Sequence, residues 1–207
     1  MQNAQLFMAA RRKISAADEI LVEISCKMCY HGAILKQRSC MTMDKKKIDW
    51  SNLGFGYVQT DARYVSNFRD GAWDEGGLTR DANITMNECA CVLQYAQTVF
   101  EGMKAYTTAG GQTVCFRPDL NAQRMIDSCR RMRMPVFPKE RFLDAIRQTV
   151  KANRAWVPPY GSGASLYLRP YMFGIDPVLG VKPAHEFQFR VFGTPVGPYF
   201  KGGVRPL

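Results

Sequence analysis

An arginine at position 124 and a tyrosine–arginine pair at 167 and 169 are the residues best placed, by type and spacing, to meet an anionic organic molecule. Arg124 falls near the start of a helix expected from Leu120 to about Met132, where unpaired N–H groups and the helix dipole favour a phosphate. In the run ASLYLRPYMFG, strand alternation puts Tyr167 and Arg169 on one face and Leu166 and Leu168 on the other. An arginine so placed can address a carboxylate through two parallel hydrogen bonds. On pattern alone, however, Arg169 reads as a solvent-facing residue, and Pro170 points to a sheet edge. No Ser-His-Asp order, phosphate loop or dinucleotide glycine fingerprint is present. Cys26 and Cys29, with His31 and Cys40 nearby, suggest a zinc site but lack a second spaced pair, so the stretch reads instead as an unstructured extension without a metal.

The elements that must carry these residues centre on Gln94 to Met125. A helix is expected over Met86 to Val99, with Val92, Tyr95 and Val99 as its stripe and Gly102 as its stop. Met103–Tyr106 and Thr113–Phe116 read as a hairpin across Gly110 and Gly111. Asp119 is the expected cap of the following helix, whose apolar stripe is Met125, Cys129 and Met132. Asp70-Gly71 signals a second hairpin. The segment after Pro138 reads as an amphipathic helix burying Phe142, Ile146 and Val150, and the run from His185 ends in an alternating strand and a Pro/Gly loop. Strands come in pairs without regular β–α alternation, so the expected fold is α+β with an antiparallel-rich sheet and packed helices. The expected divisions are an extension over 1–42, an α+β domain over 43–193 and an interdomain loop over 194–207.

Composition narrows the function. The 207 residues carry a net charge of +10, yet the basic clusters are separated by apolar stretches and form no single stripe for nucleic acid. Seven irregularly spaced cysteines read as reduced thiols of a cytosolic protein. No apolar run approaches the ~20 residues needed to span a membrane. Asp18, Glu19 and Glu23 argue against a mitochondrial presequence, and Met41 or Met43 is the expected biological start.

The segments KIDWSNLGFGY, QYAQTVFEGMKAY, CFRPDLNAQRM, WVPPYGSGASLYLRPYMFG, LGVKPA and PVGPYFKGG resemble, in order and spacing, the N-terminal part of branched-chain amino acid aminotransferases, from about Asp44 to the end. These are fold type IV enzymes dependent on pyridoxal 5′-phosphate. The resemblance implies the family's small N-terminal domain and a homodimer acting on branched-chain amino acids, their 2-oxo acids, glutamate and 2-oxoglutarate. It implies that Arg124 grips the cofactor phosphate. Phe55, Tyr95 and Phe100 correspond to pocket walls, the tyrosine acting across the dimer interface, and Tyr167 and Arg169 to the groups receiving the substrate and its carboxylate. Leu179 and Val181 correspond to a loop reaching the partner's site, and Tyr199 to an aromatic of the interdomain loop. The family's Schiff-base lysine is expected beyond Leu207, so no catalytic residue is assigned and the sequence as given is expected to be inactive alone. Another fold type IV enzyme, acting on D-amino acids or aminodeoxychorismate, is the rival within this class, and a non-catalytic dimerisation module the rival outside it.

Overall fold

The computed structural model describes residues 44–198. Tyr199, Cys26, Cys29, His31, Cys40 and both candidate start methionines lie outside the described residues.

Strand β1 (Arg63–Arg69) turns at Asp70 and Gly71, both at positive φ as a two-residue type I′ loop requires, into β2 (Ala72–Trp73). Strand β3 (Gly77–Thr79) returns along β1. The expected long helix over 86–99 is instead the single turn α1 (Cys91–Tyr95), ended by Ala96 at φ 51°, followed by β4 (Thr98–Phe100). Val99 satisfies its need for burial as a strand residue, so the three-to-four spacing that suggested one helix is shared between two elements. The expected hairpin forms as β5 (Met103–Thr107) and β6 (Thr113–Cys115).

Helix α2 spans Pro118–Arg131. Its N-cap is Arg117 in the left-handed region, and Asp119 does not cap it; the Asp119 carboxylate takes two hydrogen bonds from Arg117, at 3.0 and 2.9 Å. Met125 and Cys129 are buried as expected, whereas Met132 is the half-exposed C-cap. Helix α3 (Lys139–Ala152) buries Phe142, Ile146 and Val150. Strands β7 (Ser165–Gly174) and β8 (Phe187–Val196) are the longest and pair antiparallel along their whole length. Strand β8 runs past position 193 to Val196, and the Gly197 N–H then bonds the Gly54 carbonyl at 3.1 Å.

Among the described residues one antiparallel eight-stranded sheet forms, ordered β2-β1-β8-β7-β5-β6, with β3 on β1 and β4 on β7. One face packs on α2 and α3. Leu166, Leu168 and Met172 of β7 and Phe187, Phe189 and Val191 of β8 are all buried there, and Phe189 stacks on Phe137 at 4.0 Å between centroids. Alternation turns Tyr167, Arg169 and Tyr171 to the other face. That face bears the candidate site.

Pro170 therefore lies in a central strand rather than at an edge. Its carbonyl accepts from the Glu101 N–H at 2.8 Å, between the stretch of β7 paired with β4 and the stretch paired with β5. Pro170 faces Glu101 in the same register that pairs Phe100 with Tyr171 and Met103 with Leu168, so the missing proline N–H leaves the reciprocal bond to the Glu101 carbonyl unmade, and the ladder breaks there between β4 and β5.

Candidate functional site: an arginine fork beside an aromatic wall

Glu101 and Gly102 bridge β4 and β5 and tie the two halves of the site together. The Glu101 side chain is 4% exposed. Arg124 donates to it through Nε at 2.8 Å and Nη2 at 2.5 Å, and Asn121, one turn earlier on α2, donates Nδ2 to the same carboxylate at 2.8 Å. Arg124 itself is 67% exposed. With Nε and one Nη2 proton committed to Glu101, its Nη1 edge has no acceptor among the described residues and faces outward. The Glu101 carboxylate holds the Arg124 guanidinium above its ordinary pKa, through hydrogen bonding first and charge second.

The expected physical basis for an anion at Arg124 requires correction. Arg124 is the seventh residue of α2, about 9 Å along the axis from Pro118 at 1.5 Å per residue. Dipole effects fade within the first turn. Its competence rests instead on a guanidinium fixed in orientation by a buried carboxylate, with a free edge.

On β7, Arg169 lies over the Phe100 ring at 4.5 Å and the Tyr167 ring at 5.3 Å, and its Nε donates to the Tyr167 hydroxyl at 3.2 Å. Phe55 meets Tyr167 edge-on at 5.5 Å. These four residues form one wall, and Arg169 has no carboxylate partner among the described residues. Gly102 adjoins the same wall. A Cβ there would stand 2.5 Å from the Tyr167 hydroxyl oxygen, so only glycine lets Tyr167 lie where Arg169 can reach it.

A second group stands at the loop after β7. The Tyr95 hydroxyl donates to the Leu179 carbonyl, and the Leu179 and Val181 side chains are 85% and 88% exposed. No hydrogen bond or ring contact joins this group to Phe100, Tyr167 or Arg169 among the described residues. Glu101 and Asn121 carry no role in the sequence pattern, and Gly102 reads there only as a helix stop. A carboxylate flanked by an aromatic residue and a glycine at a strand entry was the available signal.

Comparison with known proteins adds a direct relation. Over 161 residues the chain is 50% identical to the branched-chain-amino-acid aminotransferase of Haemophilus influenzae, covering 78% of this chain and 47% of that protein. It is homologous to part of a branched-chain aminotransferase. A hop relative, branched-chain amino acid aminotransferase 2, chloroplastic, from Humulus lupulus, is 40% identical over 208 aligned residues and is matched across 48% of its length. The chain thus spans about half the length of the curated aminotransferases it matches. No family model matches. Among solved structures, the branched-chain amino acid aminotransferase of Escherichia coli superposes with a TM-score of 0.54 at 24% identity, over 69% of this chain and 42% of that one. That likeness establishes the fold, an antiparallel sheet with packed helices, as the strand pattern implied.

Proposed function

We propose that this chain supplies the small-lobe half of the active site of a branched-chain aminotransferase using pyridoxal 5′-phosphate, and that the Arg124 fork is the anchor for the cofactor phosphate. The observation carrying the reading is the connection of Arg124, through Glu101 and Gly102, to the wall of Phe100, Tyr167 and Arg169. The donor set fits the cofactor: a permanently charged guanidinium, braced on one edge and open on the other, matches a phosphate oxygen pair. When bound, the cofactor supplies an electron sink for deprotonation at the substrate Cα.

The chain's own residues account for a pocket of dual character. Phe55 and Phe100 offer apolar surface for the side chain of leucine, isoleucine or valine. Arg169, lacking a carboxylate partner, is available for the second carboxylate of glutamate or 2-oxoglutarate. Stacking on Phe100 and the hydrogen bond to Tyr167 keep its guanidinium in place while an aliphatic substrate occupies the pocket. Tyr167, which accepts from Arg169, retains its own O–H to donate to a bound carboxylate.

A homodimer belongs to the same proposal. The exposed Leu179 and Val181, on a loop tied to Tyr95, suit contact with a second copy. A cytoplasmic location accompanies it, and no helix among the described residues is long and apolar enough to cross a membrane. Protein expressed from its full natural reading frame, supplied with pyridoxal 5′-phosphate, leucine and 2-oxoglutarate, is expected to form glutamate and to sediment as a dimer. Turnover of D-alanine or aminodeoxychorismate in place of leucine would overturn the substrate assignment.

A further inference from the structure

Arg63 and Arg190 are buried, at 2% and 6% exposure, on the sheet face that also carries Arg169. All their acceptors are neutral. Arg63 donates Nη1 to the Arg80 carbonyl and Nη2 to the Thr60 carbonyl at 3.3 Å. Arg190 donates Nη1 to Gln188 Oε1 at 3.0 Å and Nη2 to the Asp81 carbonyl at 3.1 Å. Neither guanidinium forms a salt bridge among the described residues. The nearby Asp81 carboxylate accepts instead from the Asn83 N–H at 2.9 Å.

Two buried cations hydrogen-bonded only to carbonyl and amide dipoles are an expensive arrangement, because neutral acceptors satisfy the N–H groups but not the charge, and the Asp81 carboxylate acts on Arg190 from a distance without pairing with it. Both cations line one cavity of about 310 Å³, and Tyr57, Gln59, Asn83 and Tyr171 complete its polar lining. Phe192 closes one side, in edge-on contact with both Tyr57 and Tyr171 at 5.9 Å. Burial holds the Tyr171 hydroxyl above its ordinary pKa despite the pull of Arg190 and Arg63, so it remains a neutral donor at physiological pH. The same burial, chiefly, holds Arg190 below its ordinary value.

We propose that this cavity binds a small oxyanion, a carboxylate or phosphate group, between the guanidiniums of Arg63 and Arg190. Guanidinium forks match the paired oxygens of both groups, and the cavity is at the lower end of the volume used by small-molecule sites. The proposal stands apart from the aminotransferase reading, since none of its residues was invoked there.

Thermal melting of the full chain at constant ionic strength, in chloride and then with sodium phosphate or sodium acetate titrated in, tests it. At a hundred times Kd the bound anion raises the melting temperature by about 5–10 °C. In an Arg124→Gln background, which removes the other phosphate-binding guanidinium, the rise persists, and adding Arg190→Gln to that background abolishes it. Should Arg190→Gln fail to fold, Asn83→Asp serves instead: Asn83 is exposed at the rim, and a carboxylate there raises the melting temperature in chloride while removing most of the anion-dependent rise. A response to both anions, or to phosphate alone, upholds the site and tells which oxyanion it prefers. Equal melting in all three salts, loss of the rise in Arg124→Gln, or an undiminished rise in Asn83→Asp overturns it.

Discussion

Arg124 holds Glu101 by two parallel hydrogen bonds although the arginine is largely exposed and the glutamate almost wholly buried. The buried partner fixes the exposed one. The fork geometry matters as much as the charge, so Arg124→Ala is expected to weaken binding of pyridoxal 5′-phosphate about 10- to 150-fold, the equivalent of ~1.5–3 kcal/mol for a charge-assisted contact. Arg124→Lys keeps the charge, loses the fork and falls between. Equilibrium titration of the cofactor by absorbance checks both, and wild-type affinity in Arg124→Ala would remove the arginine from the site.

Gly102→Ala is expected to disturb function more than stability. The added methyl meets the far end of the Tyr167 side chain, not backbone, so the phenol swings away and its hydrogen bond to Arg169 is broken. The expected signature is a raised KM for glutamate, with a melting temperature within a few degrees of wild type. An unchanged KM would mean that Tyr167 does not hold Arg169 in place.

Arg169→Ala should impair the glutamate half-reaction at least tenfold more than the leucine half-reaction, because only the former brings a second carboxylate, and a charged hydrogen bond is worth about 1.5–3 kcal/mol. Single-turnover rates with each amino acid separate the two. Equal losses would mark Arg169 as a structural residue of the sheet.

Acid stability follows Asp74. Partial burial alone would raise its pKa, but hydrogen bonds from the Asn67 and Ser66 side chains and from the Asn67 N–H bring it below the ordinary 3.8. Because the folded-state value lies below the unfolded one, its contribution is fully present above about pH 4 and is lost as pH falls through the folded value. Asp74→Asn should therefore melt lower than wild type at pH 6, with the gap closing toward pH 3. A gap that is the same at both pH values would show that the carboxylate charge is not responsible.

Much of this was legible from local pattern. Strand β7 could be read because two buried leucines alternate with Tyr167 and Arg169, and α3 because Phe142, Ile146 and Val150 repeat at helical spacing. Hydrogen bonds between distant segments were not legible. Pro170 reads as an edge residue until its carbonyl is seen to accept from Glu101 inside the sheet, and Asp119 reads as a cap until Arg117 takes its carboxylate. Arg63 and Arg190 look like ordinary strand residues in the sequence. Only the pairing of β1 with β8 brings them to one cavity.

The most direct measurement is a crystal structure of the protein with pyridoxal 5′-phosphate bound. The account predicts the phosphate within hydrogen-bonding distance of the Arg124 guanidinium, with Glu101 still gripping its other edge. A phosphate seated elsewhere, with Arg124 touching only Glu101 and solvent, would contradict it.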